Sequence, residues 1–240
     1  MRDDAYRNSA NQPLDAGLNQ GIISQTMTVQ GAINKTFILT GLLLLTAIFS
    51  YSNPSPLFMW GGAIGGLVVV IIAAFRPKSS PVLAPIYALL EGFFVGSISA
   101  VYANLYNGIV FNAVCLTIAT LFMMLFIYKS GLIKVTNKFR TGVYMATGAI
   151  ALVYIMTLVL GMVGINVPYL HEGGMIGIGI SVVILGVAAL NLLLDFDNFE
   201  KGEKYGAPMY MEWFSAMGLL ITLVWLYIEF LRLLSMLSSD

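Results

Sequence analysis

Residues 36–75 carry no charge, and this run is broken once, at Ser52-Asn-Pro-Ser-Pro56. A pair of prolines so closely spaced cannot continue a helix, so the stretch divides into two apolar segments, 33–51 and 57–75. Each has about the twenty residues needed to cross a hydrocarbon core of roughly 30 Å. The same pattern recurs at 82–103, 109–128, 142–165, 175–199 and 209–237. Between these runs lie Arg76-Pro-Lys78-Ser-Ser-Pro81, Asn104 to Gly108, a basic loop, a polar turn from Asn166 to Gly174, and a short polar stretch that begins Glu200-Lys-Gly202. The fold class predicted is an all-α integral membrane protein of seven transmembrane helices, since a lipid-embedded backbone must satisfy its own hydrogen bonds.

Composition supports this reading. The chain is 58% hydrophobic and 10% charged with a mean hydropathy of +0.85, too apolar to have water on every side. Residues 1–30 differ: they are polar, rich in Asn, Gln, Ser and Thr, and hold Arg2, Arg7, Asp3, Asp4 and Asp15. They read as a flexible or surface-lying tail, with residues 31–240 as the membrane domain. The tail lacks the apolar core of a cleavable signal, so the first span is expected to act as its own insertion signal.

Whole function classes are excluded. A single cysteine, Cys115, leaves no disulfide framework and no thiolate cluster, and no P-loop, dinucleotide fingerprint or basic nucleic-acid patch is present. Cofactors and nucleic-acid partners are therefore not expected. The lone histidine, His171, sits beside Glu172 in a loop and reads as solvated. No Ser/His or Ser/Lys pair suggests a nucleophile, so the chain is not expected to be an enzyme.

The basic residues set an orientation. In a seven-span arrangement Arg2, Arg7, Lys35, Arg76, Lys78, Lys129, Lys134, Lys138, Arg140, Lys201 and Lys204 fall on one side, and of the twelve only Arg232 does not. The positive-inside rule then predicts a cytoplasmic N-terminus and an outside C-terminus, in a bacterial plasma membrane. Arg232 can snorkel to the outer interface. Small residues four apart, Gly61/Gly65, Gly62/Gly66, Gly92/Gly96 and Gly173/Gly177, are expected to let helices within the bundle approach closely.

Acids inside hydrocarbon are functional-site candidates by default. Glu91 lies nine residues into the third span, roughly 14 Å down. Asp195 and Asp197 are two residues apart, about 200° around a helix, so they diverge: Asp195 is expected to face inward and Asp197 the rim, where Lys201 and Lys204 screen it. This divergence also excludes aspartyl proteolysis, which needs carboxyls on facing elements sharing a proton. Glu212, one turn into the last span, is expected at the level of Asp195, and the two acids would titrate as a unit if they share a site. Glu229 lies roughly 25 Å further on and is expected to pair with Arg232 at the outer interface.

Two segments carry a resemblance: Leu193-Leu-Asp195-Phe-Asp197-Asn at the end of span six, and Ala216-Met-Gly followed by Leu226-Tyr-Ile-Glu229-Phe-Leu-Arg232 in span seven. With seven spans and a short Ser-Ser-Asp tail, the chain resembles the Bax inhibitor-1 family, also called the transmembrane Bax inhibitor motif family, in a bacterial form. The resemblance implies a C-terminal helix at the centre of the bundle, wrapped by the other six. It also implies a pH-sensitive calcium leak, and, for some bacterial relatives, modulation of a membrane-bound protease. The family's pH sensing is attributed to an aspartate on span six and another on span seven. Asp195 matches the first, and two alignments place either Thr222 or Glu229 at the second, with depth favouring Thr222. Glu212 or Glu91 would then stand in for the missing carboxylate.

The function expected is thus a pH-sensitive cation leak, gated by intramembrane carboxylates. Its partners would be the bilayer and Ca²⁺ or H⁺, with a calcium site beside Asp195. Protonated, the acids would hydrogen-bond and hold the bundle closed; ionised, they would repel each other or bind a cation. The alternative is a regulatory protein that binds a membrane protease through its polar tail.

Overall fold

A computed structural model of the chain describes residues 26–162 and 174–238. Seven helices among these residues are long and apolar enough to cross a membrane. They are α1 (Val29–Ser52), α2 (Pro56–Phe75), α3 (Ser80–Leu105), α4 (Ile109–Ser130), α5 (Asn137–Met162), α6 (Met175–Lys204) and α7 (Tyr210–Ser238). His171, Glu172 and residues 1–25 of the expected tail lie outside the described residues.

Local chemistry sets the helix ends. Thr28 caps α1 by accepting from the Gly31 amide, and Ser55 caps α2 by accepting from Leu57, with Pro56 in the first turn where its missing N–H costs nothing. Gly108 and Gly131 bound α4 with φ of +74° and +69°, a conformation that L side chains avoid. Connections as short as 53–55 and 106–108 reverse the chain between successive spans. Lys35, Lys78, Lys129, Arg140, Lys201 and Lys204 consequently gather at one end of the bundle, called the basic end below.

Two boundaries differ from expectation in ways that matter for the site. The sixth span was expected to close near residue 199, but α6 continues through Glu200, Lys201 and Gly202 to Lys204. Its final turns are held by an i,i+4 pair between Asp197 and Lys201 at 2.8 Å, and Glu200 accepts from Tyr128 and Lys129 of α4. In addition, Thr26–Gln30, assigned to the tail by sequence, dock onto the bundle. Thr26 bridges to Pro208, the Met27 amide donates to the Ala207 carbonyl at 2.7 Å, and the Met27 side chain is buried against Gly202.

The C-terminal helix is the central one. It packs against α1, α3, α4 and α6; α2 lies on α3, and α5 lies on α6 and reaches α7 through Tyr154. Its two faces enter separate cores. Leu220, Val224, Tyr227 and Leu231 pack with Leu39, Val69 and Tyr87 of α1, α2 and α3, whereas Leu219 and Leu226 pack with Leu185, Ala188 and Leu192 of α6. The outward faces carry exposed Phe37, Leu45, Leu67, Phe111, Phe126 and Met145, as a lipid-facing surface should.

Lipid tails are as apolar as leucine, so such helices associate through close packing and interhelical hydrogen bonds. Both devices are present. Gly96 lies against the Ala47 carbonyl, Gly92 against Leu43 and Thr46, and Gly62 against the backbone of Leu90 and Phe94. The expected internal use of these small residues therefore holds for α2 and α3; a Cβ at Gly61 would meet no other helix within 4 Å, and Gly173 lies outside the described residues. Thr46 donates to the Leu89 carbonyl at 2.9 Å, and Ser99 and Tyr227 share a 2.6 Å bond that fixes the register of α3 on α7.

Candidate functional site

The extension of α6 to Lys204 puts Asp195 nine residues, or about 14 Å, inside the helix end. Its side chain turns toward α7 and accepts a 2.7 Å hydrogen bond from the Thr222 hydroxyl. The Thr222 oxygen also stands 3.3 Å from the Gly218 carbonyl. Gly218, one turn earlier, leaves the carboxylate room: a Cβ there would lie 3.7 Å from Asp195 Oδ1. Asp195 is half-buried and joins none of the ion pairs formed by the described residues. A carboxyl group deep in an apolar bundle, held by one neutral hydroxyl, is costly to charge unless water or a cation reaches it.

Asp197 diverges as its spacing predicts. It faces α5, where it pairs with Arg140, and it also pairs with Lys201. Arg140 further donates to Asn198 at 3.0 Å. With two cations on it, Asp197 is a neutralised rim residue, and Lys204, expected to share in the screening, forms none of its ion pairs.

The expected meeting of Asp195 and Glu212 does not occur. Glu212 is buried at the start of α7 and accepts from the Thr28 amide at 2.8 Å, the Thr28 hydroxyl at 3.1 Å and Lys35 at 2.5 Å. Lys35 in turn lies 5.4 Å from the centre of the Trp213 ring. Thr222 is ten residues further along α7, so the Asp195 site lies about 15 Å deeper. The sequence reading misplaced Asp195 because it took the polar stretch after it as a turn, and it did not pair Lys35, in the second turn of α1, with Glu212.

Glu91 is also apart. The Ser99–Tyr227 bond sets the register, and counting eight residues back along both helices puts Glu91 level with residue 219, near the depth of Asp195. Its carboxylate nevertheless lies against Gly66 of α2, beside the Tyr87 ring, whereas Asp195 faces Thr222 of α7. Asp195 and Glu91 share depth but no partner.

Glu229 pairs with Arg232 at 3.5 Å, as the i,i+3 spacing predicts, yet the pair is buried instead of lying at an exposed interface, with side chains 3% and 12% exposed. Glu229 also accepts from Ser181 of α6 at 2.7 Å and Tyr154 of α5 at 3.0 Å. Sequence reading missed Ser181 and Tyr154, since a serine and a tyrosine in apolar runs carry no signal until the helices are assembled. Arg140, read only as part of a basic loop, was also missed as the partner of Asp197. Tyr154 lines a cleft of about 570 Å³ between α5 and α6, otherwise walled by Ala149, Val153, Ile176, Ile180 and Val183.

Among the described residues no three His, Cys, Asp or Glu side chains converge. The candidate acids instead occupy separate stations: Glu212 and Asp197 toward the basic end, Asp195 and Glu91 at middle depth, and Glu229 toward the opposite end. A family model described as Bax inhibitor 1 like matches residues 2–239, and the chain belongs to that family. No curated protein matches the sequence.

Proposed function

We propose that this member of the Bax inhibitor 1 like family is a non-enzymatic, pH-sensitive cation leak, with calcium as its cargo and Asp195 as its sensor. The observation that carries the reading is the bond between Asp195 and Thr222, an unpaired acid at depth held to the central helix by a hydroxyl. Protonated, Asp195 is a neutral group that sits on Thr222 and keeps α6 closed on α7. Ionised, it must acquire water or a cation. Ca²⁺ is a hard ion served by carboxylate, carbonyl and hydroxyl oxygens, and the Asp195 carboxylate, Thr222 hydroxyl and Gly218 carbonyl supply one of each. Repulsion between two carboxylates is not needed: the charge of Asp195 alone, in hydrocarbon, opposes the closed packing.

The membrane proposed is a bacterial plasma membrane, with the basic end toward the cytoplasm by the positive-inside rule. The test is calcium entry into liposomes containing wild type, Asp195→Asn or Thr222→Val. Loss of pH dependence in Asp195→Asn supports the reading. A wild type that passes no calcium at any pH defeats it.

A second reading, regulation of a membrane protease through the N-terminal segment, is favoured by one observation. Thr26–Thr28 are fastened to the α6–α7 turn through Pro208, Ala207 and Glu212, so whatever binds the preceding residues acts on that turn. Deleting residues 1–25 distinguishes the two: unchanged flux with lost protease modulation supports the second.

A further inference from the structure

Glu229 follows Thr222 by seven residues, which places it on the same face of α7 and about 10 Å nearer the end opposite the basic one. On α6, Ser181 precedes Asp195 by fourteen residues and likewise returns to nearly the same face. The node of Glu229, Ser181, Tyr154 and Arg232 and the node of Asp195 and Thr222 therefore lie along one seam between α6 and α7. Between them is an apolar layer containing Leu185, Ala188 and Leu226, which are 8%, 0% and 0% exposed. Hydrophobic constrictions of this kind close a route by excluding water.

Within the outer node the distances are unequal. Arg232 Nη1 donates to the Tyr154 hydroxyl at 2.7 Å and stands 3.5 Å from Glu229 Oε1, while the carboxylate itself is satisfied by the hydroxyls of Ser181 and Tyr154. The guanidinium is thus held more closely by the phenol than by the acid. It also sits only six residues, about 9 Å, from Ser238 at the helix end, within reach of the interface for a long side chain.

We infer that Arg232 is a tethered cation that occupies the outer carboxylate station of the α6–α7 seam, blocking it until the guanidinium swings out to the interface. Tyr154 is the positioning residue that holds it in. The inference rests on the cation-leak reading above and adds to it a resident competitor for the permeating ion. A purely structural ion pair makes the opposite prediction, because removing Arg232 would then damage the fold without admitting ions.

The test is calcium flux at one fixed pH in liposomes containing wild type, Arg232→Gln, Arg232→Lys, Tyr154→Phe and the double variant Glu229→Gln with Arg232→Gln. Each is checked for a monodisperse, thermally cooperative fold. Arg232→Gln is expected to raise the leak by about tenfold, equivalent to ~1.4 kcal/mol off the barrier. Tyr154→Phe should raise it less, Arg232→Lys should stay near wild type, and the double variant should lose the gain. The inference is overturned if folded Arg232→Gln leaks no more than wild type, or, should that variant not fold, if Tyr154→Phe leaves the leak unchanged. Failure of the parent reading is seen separately, as a wild type silent at every pH; the block then survives only if Arg232→Gln or Tyr154→Phe conducts, and falls if neither does.

Discussion

Thr222 donates a 2.7 Å hydrogen bond to Asp195, so the acid of α6 meets a neutral hydroxyl on the central helix where the family resemblance implied a second carboxylate. Of the two alignments the resemblance allowed, the one that sets Thr222 rather than Glu229 opposite Asp195 agrees with this contact. Among the described residues the site therefore holds one titratable group, and the switch proposed above is the charging of that single acid.

Thr222→Val keeps the shape of the side chain and removes the hydroxyl that donates to Asp195. It is expected to destabilise the folded protein by ~1–3 kcal/mol, the cost of an unsatisfied buried acceptor, measured as a lower unfolding midpoint in detergent. Thr222→Asp would place two carboxyls within hydrogen-bonding distance. They should share a proton, and flux should then depend on pH through two coupled steps in place of one.

Lys35 and Glu212 form a largely buried pair at 2.5 Å that fastens α1 to α7. Removing one partner leaves an uncompensated charge, so Lys35→Met is expected to cost ~3–5 kcal/mol. The double variant Lys35→Met with Glu212→Gln should recover part of that loss. A thermal unfolding series checks the order, and a double variant as unstable as the worse single would contradict it.

Gly96 touches the Ala47 carbonyl across the α1–α3 contact, whereas Gly61 faces no other helix. Gly96→Ala is expected to destabilise by ~1–3 kcal/mol through forced separation of the two backbones. Gly61→Ala should be neutral or slightly stabilising, by up to ~1 kcal/mol, through its better helix propensity. The difference between the two midpoints is the measurement.

Much of this was readable in the sequence, for identifiable reasons. Charge-free runs of about twenty residues mark spans because lipid forbids the alternatives, and a two-residue spacing fixes the divergence of Asp195 and Asp197 without any tertiary information. Thr222 was reached through alignment and depth together. Partnerships that depend on helix length and register were not readable. Glu200-Lys201-Gly202 after Phe199 looks like a turn, yet Lys201 and Glu200 find partners that keep α6 helical, and that shift carries Asp195 away from Glu212. Tyr154 and Ser181 gain meaning only when α5, α6 and α7 converge on Glu229.

The central claim is that the charge state of Asp195 controls the leak. The most direct test is calcium flux into liposomes from about pH 6 to about pH 8 for wild type beside Asp195→Asn. Asn preserves the bond to Thr222 while fixing the neutral state, so the account predicts a wild-type flux that rises with pH and an Asp195→Asn flux that stays low and flat. An Asp195→Asn protein whose flux tracks pH as wild type does would contradict it.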